Sequence, residues 1–168
     1  LTVTPQEVPK PADKLDQHAW LQQLVGEWKV TGDAVMGEDA TSVTWESTES
    51  VRSLGGLWVV AEGSSNAGGT PFTSLLTIGY DPAEEAFVGS WVDTMQTKLW
   101  TYVGHLDDAK KVLTLETDGP SWTDPTKTTK YRDQIELVGP DHRRMISSVL
   151  GENGEWTTFM TNDARRVK

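Results

Sequence analysis

From Gly26 to the end of the chain, polar and apolar residues alternate with a period of two, and this pattern constrains the fold more than any other feature. Turn signals interrupt it at short intervals. They include Leu54-Gly55-Gly56, Asp81-Pro82, Asp107-Asp108-Ala109, Gly139-Pro140-Asp141 and Glu152-Asn153-Gly154. The segments between them predict ten strands: Glu27–Met36, Thr41–Ser53, Leu57–Ser64, Phe72–Tyr80, Ala86–Thr94, Lys98–Leu106, Lys111–Thr117, Lys127–Val138, His142–Leu150 and Glu155–Asn162. Asn66 to Pro71 reads as a Gly-rich loop, and the Gly119-Pro120 to Asp124-Pro125 stretch as the longest irregular segment. None of the connections has room for a crossover helix, so consecutive strands must pair antiparallel. A meander of this length has two unpaired edges unless its ends join. The expected fold is therefore all-β: a closed antiparallel up-and-down barrel of about ten strands. Eight strands already leave space for a small ligand and diameter grows with strand number, so the interior must hold a cavity or be filled by large side chains.

A helix should precede the barrel. Asp13 reads as its N-cap, Asp16 complements the dipole in the first turn, and Trp20, Leu21, Leu24 and Val25 share one face before Gly26 stops it. His18 borders that apolar stripe and reads as a boundary contact. Residues 1–12, with Pro5, Pro9 and Pro11, read as an extended leader, and 13–168 as a single domain. A leader of this kind often follows a cleaved export signal, so a periplasmic or extracellular location is expected, with the cytoplasm as the alternative.

The charge balance narrows the partners. Fifteen basic against 25 acidic residues give a formal net charge of −10, which opposes binding to a phosphate backbone. The two basic clusters, Arg143–Arg144 and Arg165–Arg166–Lys168, are expected to be a solvated hairpin and a tail. The chain has no cysteine, which removes disulfides, thiol nucleophiles and thiolate metal sites. No stretch approaches the roughly 20 apolar residues of a membrane helix.

The helix followed by Leu24-Val25-Gly26-Glu27-Trp28 resembles the Gly-x-Trp entry to the first strand of lipocalins and other calycins. In those folds the Trp packs across the closed end of the barrel. Longer segments resemble one uncharacterised bacterial family, the domain-of-unknown-function family fifteen-seventy-nine. They are Ser47 to Trp58, Gly69-Thr70-Pro71-Phe72, Gly79-Tyr80-Asp81 and Ser90-Trp91-Val92-Asp93-Thr94-Met95. The resemblance spans about residues 17–165 and implies a lipocalin-like barrel. It brings no catalytic residue with it.

Local motifs for catalysis are sparse. His18, His105 and His142 lie on different elements without metal-ligand spacing, so neither a metal nor a cofactor is expected. His105 is the one candidate for a haem ligand of the kind used by nitrobindin-like barrels, and its place beside Asp107-Asp108 reads instead as a solvent-side rim. No nucleophile elbow is present. Carboxylates among aromatics stand out: Glu49 beside Val43, Trp45 and Val51; Glu62 beside Trp58 and Val60; Asp93 beside Phe87, Gly89 and Trp91. If these faces point inward, burial raises their pKa values and Arg52 or Arg132 is the expected partner; otherwise the acids face water. The eight tryptophans serve as core or as pocket walls. On the sixth strand Leu99, Thr101 and Val103 oppose Trp100, Tyr102 and Leu106, so its outer face should be covered by the helix or by a second copy in a homodimer.

The expected function is non-enzymatic binding of a small apolar or amphipathic molecule. The expected site is a cavity lined by Trp45, Trp58, Trp91, Tyr102 and Tyr131, with Glu49, Glu62 and Asp93 as polar groups. The alternatives are an isomerase or cyclase using one of those acids, or a solid barrel whose outer strands bind another chain.

Overall fold

The computed structural model describes residues 9–36, 41–66 and 69–168, with the side chain of Met36 excepted. The first eight residues of the expected leader, and residues 67 and 68 of the Gly-rich loop, lie outside the described residues. One helix, α1 (Asp16–Gln22), leads into ten strands: β1 Gly26–Met36, β2 Thr41–Leu54, β3 Trp58–Ser65, β4 Phe72–Asp81, β5 Ala86–Asp93, β6 Trp100–Leu106, β7 Val112–Pro120, β8 Thr128–Gly139, β9 His142–Leu150 and β10 Trp156–Arg166. Every strand pairs antiparallel with its neighbours in sequence, and β1 pairs with β10 to close the barrel. The ten-strand meander read from alternation and turns is the observed topology.

Antiparallel register carries one face across all ten strands. Trp28 lies opposite Glu49 on β2 and opposite Arg166 on β10, and Val51 lies opposite Ala61 on β3. Side chains opposite one another share a face, so the inward set is Trp28, Val30 and Ala34 on β1, Val51 on β2, Val59 and Ala61 on β3, Leu76 and Ile78 on β4. Phe87 on β5, Tyr102 on β6, Leu113 and Leu115 on β7 and Ile135 on β8 continue it. These residues form the core together with Trp20, Leu21 and Leu24 of the helix segment.

The helix stoppers one end of the barrel. Leu21 is fully buried, and Trp20 donates its indole N–H to the Lys110 carbonyl in the β6–β7 turn at 2.8 Å. The helix begins later than its sequence suggests: its N-cap is Leu15, not Asp13. His18 explains the shift. Its Nδ1 accepts the Leu15 backbone N–H at 2.9 Å, while its other ring nitrogen reaches the Tyr80 carbonyl at 3.2 Å. A buried imidazole thus takes over the capping that a carboxylate was expected to provide, and ties the helix to β4.

Trp28 sits at the centre of this end. Its indole N–H donates to the Leu24 carbonyl at 2.9 Å, and its ring lies under two guanidinium groups, Arg166 at 4.3 Å and Arg143 at 4.7 Å. Arg166 also donates to the carbonyls of Val25, Gln23 and Pro140. The supposed basic tail is therefore the last stretch of β10, and Arg143 is 6% exposed inside the barrel instead of sitting on a solvated hairpin. The cause is strand parity: Arg143 and Arg166 fall on inward positions, where the Trp28 face meets both, Glu49 pairs with Arg143 and backbone carbonyls accept from Arg166, while Arg143 Nε stays buried without a partner among the described residues.

Gly26 makes this closure possible. Its φ of +140° is a conformation that side chains resist, and a Cβ there collides with the Arg166 guanidinium. Gly26→Ala is expected to destabilise the barrel by about 1–3 kcal/mol through backbone strain and displacement of Arg166. Urea denaturation checks this. An unchanged midpoint shows that Arg166 is not needed to lock the closed end.

Candidate functional site

Away from the helix the inward positions change character. Small residues face the interior there: Ser47 on β2, Gly63 on β3, Ser74 on β4, Gly89 on β5 and Ser147 on β9. Ser47, Gly63, Ser74 and Gly89 keep partial exposure, and between them stand the large inward side chains of Trp45, Trp91, Trp100 and Tyr131. Glu49 is a polar side chain on this inward face. It points inward from β2 and pairs with the Arg143 guanidinium, yet 21% of its side chain remains accessible to water.

Two polar sets line the lumen. On one side Arg143 spans from β9 over the Trp28 ring to Glu49, and Asn162 of β10 presents an Oδ1 atom that is buried without a hydrogen-bond partner among the described residues. On β8, the neighbour of β9, Asp133 accepts a bond from the Tyr102 hydroxyl at 2.6 Å and from the Ser147 hydroxyl of β9 at 2.5 Å. Asp133 keeps some exposed surface as a residue, but protein atoms crowd its carboxyl so densely that burial pushes its pKa up against the two hydroxyl bonds. Burial, then the neighbouring Asp133 charge and bond, pushes the Tyr102 phenol up as well. Among the described residues no Lys, Arg or His forms a salt bridge with Asp133.

Aromatic side chains crowd the end away from the helix. Trp122, on the β7–β8 connection and 59% exposed, meets Phe159 edge-on at 4.5 Å and Tyr131 at 5.9 Å. Trp100 meets Tyr131 at 5.4 Å, and the Tyr131 hydroxyl donates to the Pro120 carbonyl at 2.6 Å. Trp45 packs on the bare α-carbon of Gly32, and Trp100 on that of Gly119. Trp91 donates to Asp93 at 2.8 Å. Partial burial works to raise the Asp93 carboxyl, but bonds from Gln96, Trp91 and the backbone N–H groups of Met95 and Gln96 outweigh it and hold it below the ordinary carboxylate range. Lys98 lies 4.9 Å from the Trp100 ring centroid.

Of the eight residues expected to line the site, six face the interior: Trp45, Glu49, Trp91, Asp93, Tyr102 and Tyr131. Trp58 and Glu62 do not. Val59 and Ala61 take the inward positions of β3, which turns Trp58, packed on Gly79, and Glu62 to the outer surface. The expected arginine partners are also outside: Arg52 is exposed and Arg132 stacks on Trp156 at 4.3 Å, while Arg143 pairs with Glu49. Asp133, Arg143, Ser147 and Asn162 escaped the sequence reading. Parity with Tyr131 was the available signal for Asp133, two positions further along β8.

The outer face of β6 is not covered by the helix: Leu99 and Val103 are 58% and 62% exposed. His105 also points outward, so it has no access to the lumen as a haem ligand. His142 bonds Asp163 at 2.6 Å. Among the described residues no three His, Asp or Glu side chains gather to hold a metal ion. A surface cleft beside α1, lined by Lys14, Trp20, Tyr80, Asp107 and Lys110, opens broadly to solvent and its polar contact, Trp20 to Lys110, serves to hold the helix.

These features define a closed ten-stranded β-barrel, helix-stoppered at one end, with inward polar side chains and a cluster of aromatic rings towards the other. The chain belongs to the family described as protein of unknown function (DUF1579), which it matches over residues 13–166. No curated protein matches it. Solved structures share the fold. Rv2717c from M. tuberculosis is 11% identical with a TM-score of 0.59, covering 93% of this chain and 100% of that one. The S-type phycobiliprotein lyase CPES from Guillardia theta is 13% identical with a TM-score of 0.55, covering 89% and 92%. A redesigned β-barrel is 12% identical with a TM-score of 0.46, covering 90% and 96%.

Because burial raises the Asp133 carboxyl, the native state holds that proton more tightly than the unfolded chain does. Its contribution is most favourable below about pH 4, the ordinary Asp range, and declines as pH rises towards the native value. Denaturation midpoints of wild type and Asp133→Asn, followed from about pH 4 to 7, should therefore shift in favour of the variant as pH rises. Parallel curves would mean an ordinary carboxyl.

Proposed function

We propose that this protein binds a small amphipathic molecule in the lumen of its barrel, without chemistry of its own. The observation that carries this reading is Glu49: an inward carboxylate, ion-paired inside a closed barrel and still wetted. A space ringed by Trp45, Trp91, Trp100 and Tyr131 and floored by polar side chains has the make-up of a ligand pocket, with apolar walls and a few convergent polar groups. The shared fold with a phycobiliprotein lyase is compatible with ligand binding without being specific to it. Of the acids considered for an isomerase or cyclase, Glu49 is ion-paired, Asp93 is held ionised and Glu62 is outside the barrel, which favours binding over proton transfer by that set.

An uncharged solvatochromic dye, Nile red, tests the lumen directly. Wild-type protein is expected to bind it with a blue-shifted, enhanced emission. Ser47→Trp, which adds a large ring on the inward face of β2, should weaken binding by about tenfold or more. No binding to the wild type, or equal binding to both proteins, overturns the reading, the second result placing the dye on the outer surface.

A further inference from the structure

We propose that the barrel wall opens at the seam between β6 and β7, and that the hydrogen bond from Tyr102 to Asp133 is the latch that keeps it shut. Among the described residues the ladder between these strands is the shortest around the barrel. It runs only from Val103 opposite Glu116 to Leu106 opposite Leu113. Both strands continue past it, away from the helix. Trp100–Tyr102 and Thr117–Gly119 stand next in register, yet they form no pair with each other. Each of these residues is paired on its other side, the first set with Gly89–Trp91 of β5 and the second with Thr129–Tyr131 of β8. The backbone is therefore ordered on both flanks, and the ladder is interrupted between them. Each ladder hydrogen bond contributes about 1 kcal/mol, so local opening is easier here than along fully paired strands.

Side chains take over where the ladder stops, and they do so from inside. Tyr102 reaches past β7: its hydroxyl donates at 2.6 Å to Asp133 of β8, which stands opposite Leu115 of β7. Ser147 of β9 donates to the other carboxyl oxygen at 2.5 Å and holds Asp133 in place. Trp100 lies on the bare α-carbon of Gly119 and meets Tyr131 of β8 edge-on at 5.4 Å. On the outer surface Thr101 and Asp118 are exposed, and Asp118 turns away from the seam to Lys130 of β8 at 3.2 Å. Leu99 and Val103 leave the outer side of β6 bare. The Tyr102–Asp133 bond is strong while it is sheltered and is replaced by bonds to water once the strands part, which gives the seam two distinct states. Parting the strands here leaves the helix and the Trp28 contacts at the other end in place. The opening is a property of the wall and stands whether or not the interior takes a ligand.

Pairs of nitroxide spin labels test the seam, because the chain has no cysteine to compete for them. One pair, Thr101→Cys with Asp118→Cys, spans the unpaired ends. The other, His105→Cys with Thr114→Cys, spans the ladder, where the two residues stand opposite each other. Dipolar broadening of the continuous-wave spectrum reports how far apart the labels are. On warming to just below the unfolding midpoint, the first pair is expected to lose most of its broadening reversibly, while the second keeps its own. Tyr102→Phe, which removes the hydroxyl and keeps the ring, should produce the same selective loss without warming. Broadening of the first pair that persists until the whole protein unfolds overturns the opening. Equal loss at both pairs overturns it too, since the barrel is then loosening as a whole. A first pair unchanged by Tyr102→Phe overturns the latch. Where that variant fails to fold, the warming comparison with Tyr102 intact decides alone.

Discussion

The β1–β10 pairing, with Arg143 and Arg166 both held against the Trp28 ring, is the interaction on which the rest of the barrel depends. Ten strands in a meander bury one face only when the first and last meet. Once they meet, every residue opposite Trp28 along the register is committed to the inside. Arg166 has carbonyls of the helix connection and the β8–β9 turn to donate to, and Arg143 has Glu49. Removing any of these leaves a guanidinium beside the core without a counterpart, which is far more costly than never having placed it there.

The interior then divides by side-chain size. Near the helix Trp28, Phe87, Ile78, Leu113 and Ile135 are at most 2% exposed and fill the space completely. Farther along, Ser47, Gly63, Gly89 and Ser147 take the equivalent positions among larger aromatic side chains. Polar groups tolerate this half where they bond to one another, as Tyr102, Asp133 and Ser147 do. One half therefore supplies stability through close packing and the other gathers the polar and aromatic side chains, within one continuous sheet.

Much of the fold was legible in the chain. Alternation on β1 correctly grouped Trp28, Val30, Gly32 and Ala34, and on β2 Val43, Trp45, Ser47, Glu49 and Val51, because neither strand has a bulge to shift its parity. Strand β3 misled because Trp58, Val59, Val60 and Ala61 are apolar on both faces, so the largest side chain drew the inward assignment. Register, and not residue size, settled it: Val51 is opposite Ala61. On β10 the register shifts between Thr158 and Met160, which hid the inward place of Asn162 from simple alternation.

The sequence by itself determined the class of structure: ten strands after one helix, antiparallel pairing and the need for closure. These follow from period, turn chemistry and connection length, all of which are local. Only the tertiary structure decided which face is the inside of β3, that Arg143 meets Glu49 across 94 residues, and that Asp133 meets Tyr102 and Ser147. Those encounters depend on where the sheet curls and where its edges join, and neither is written in any short stretch of chain.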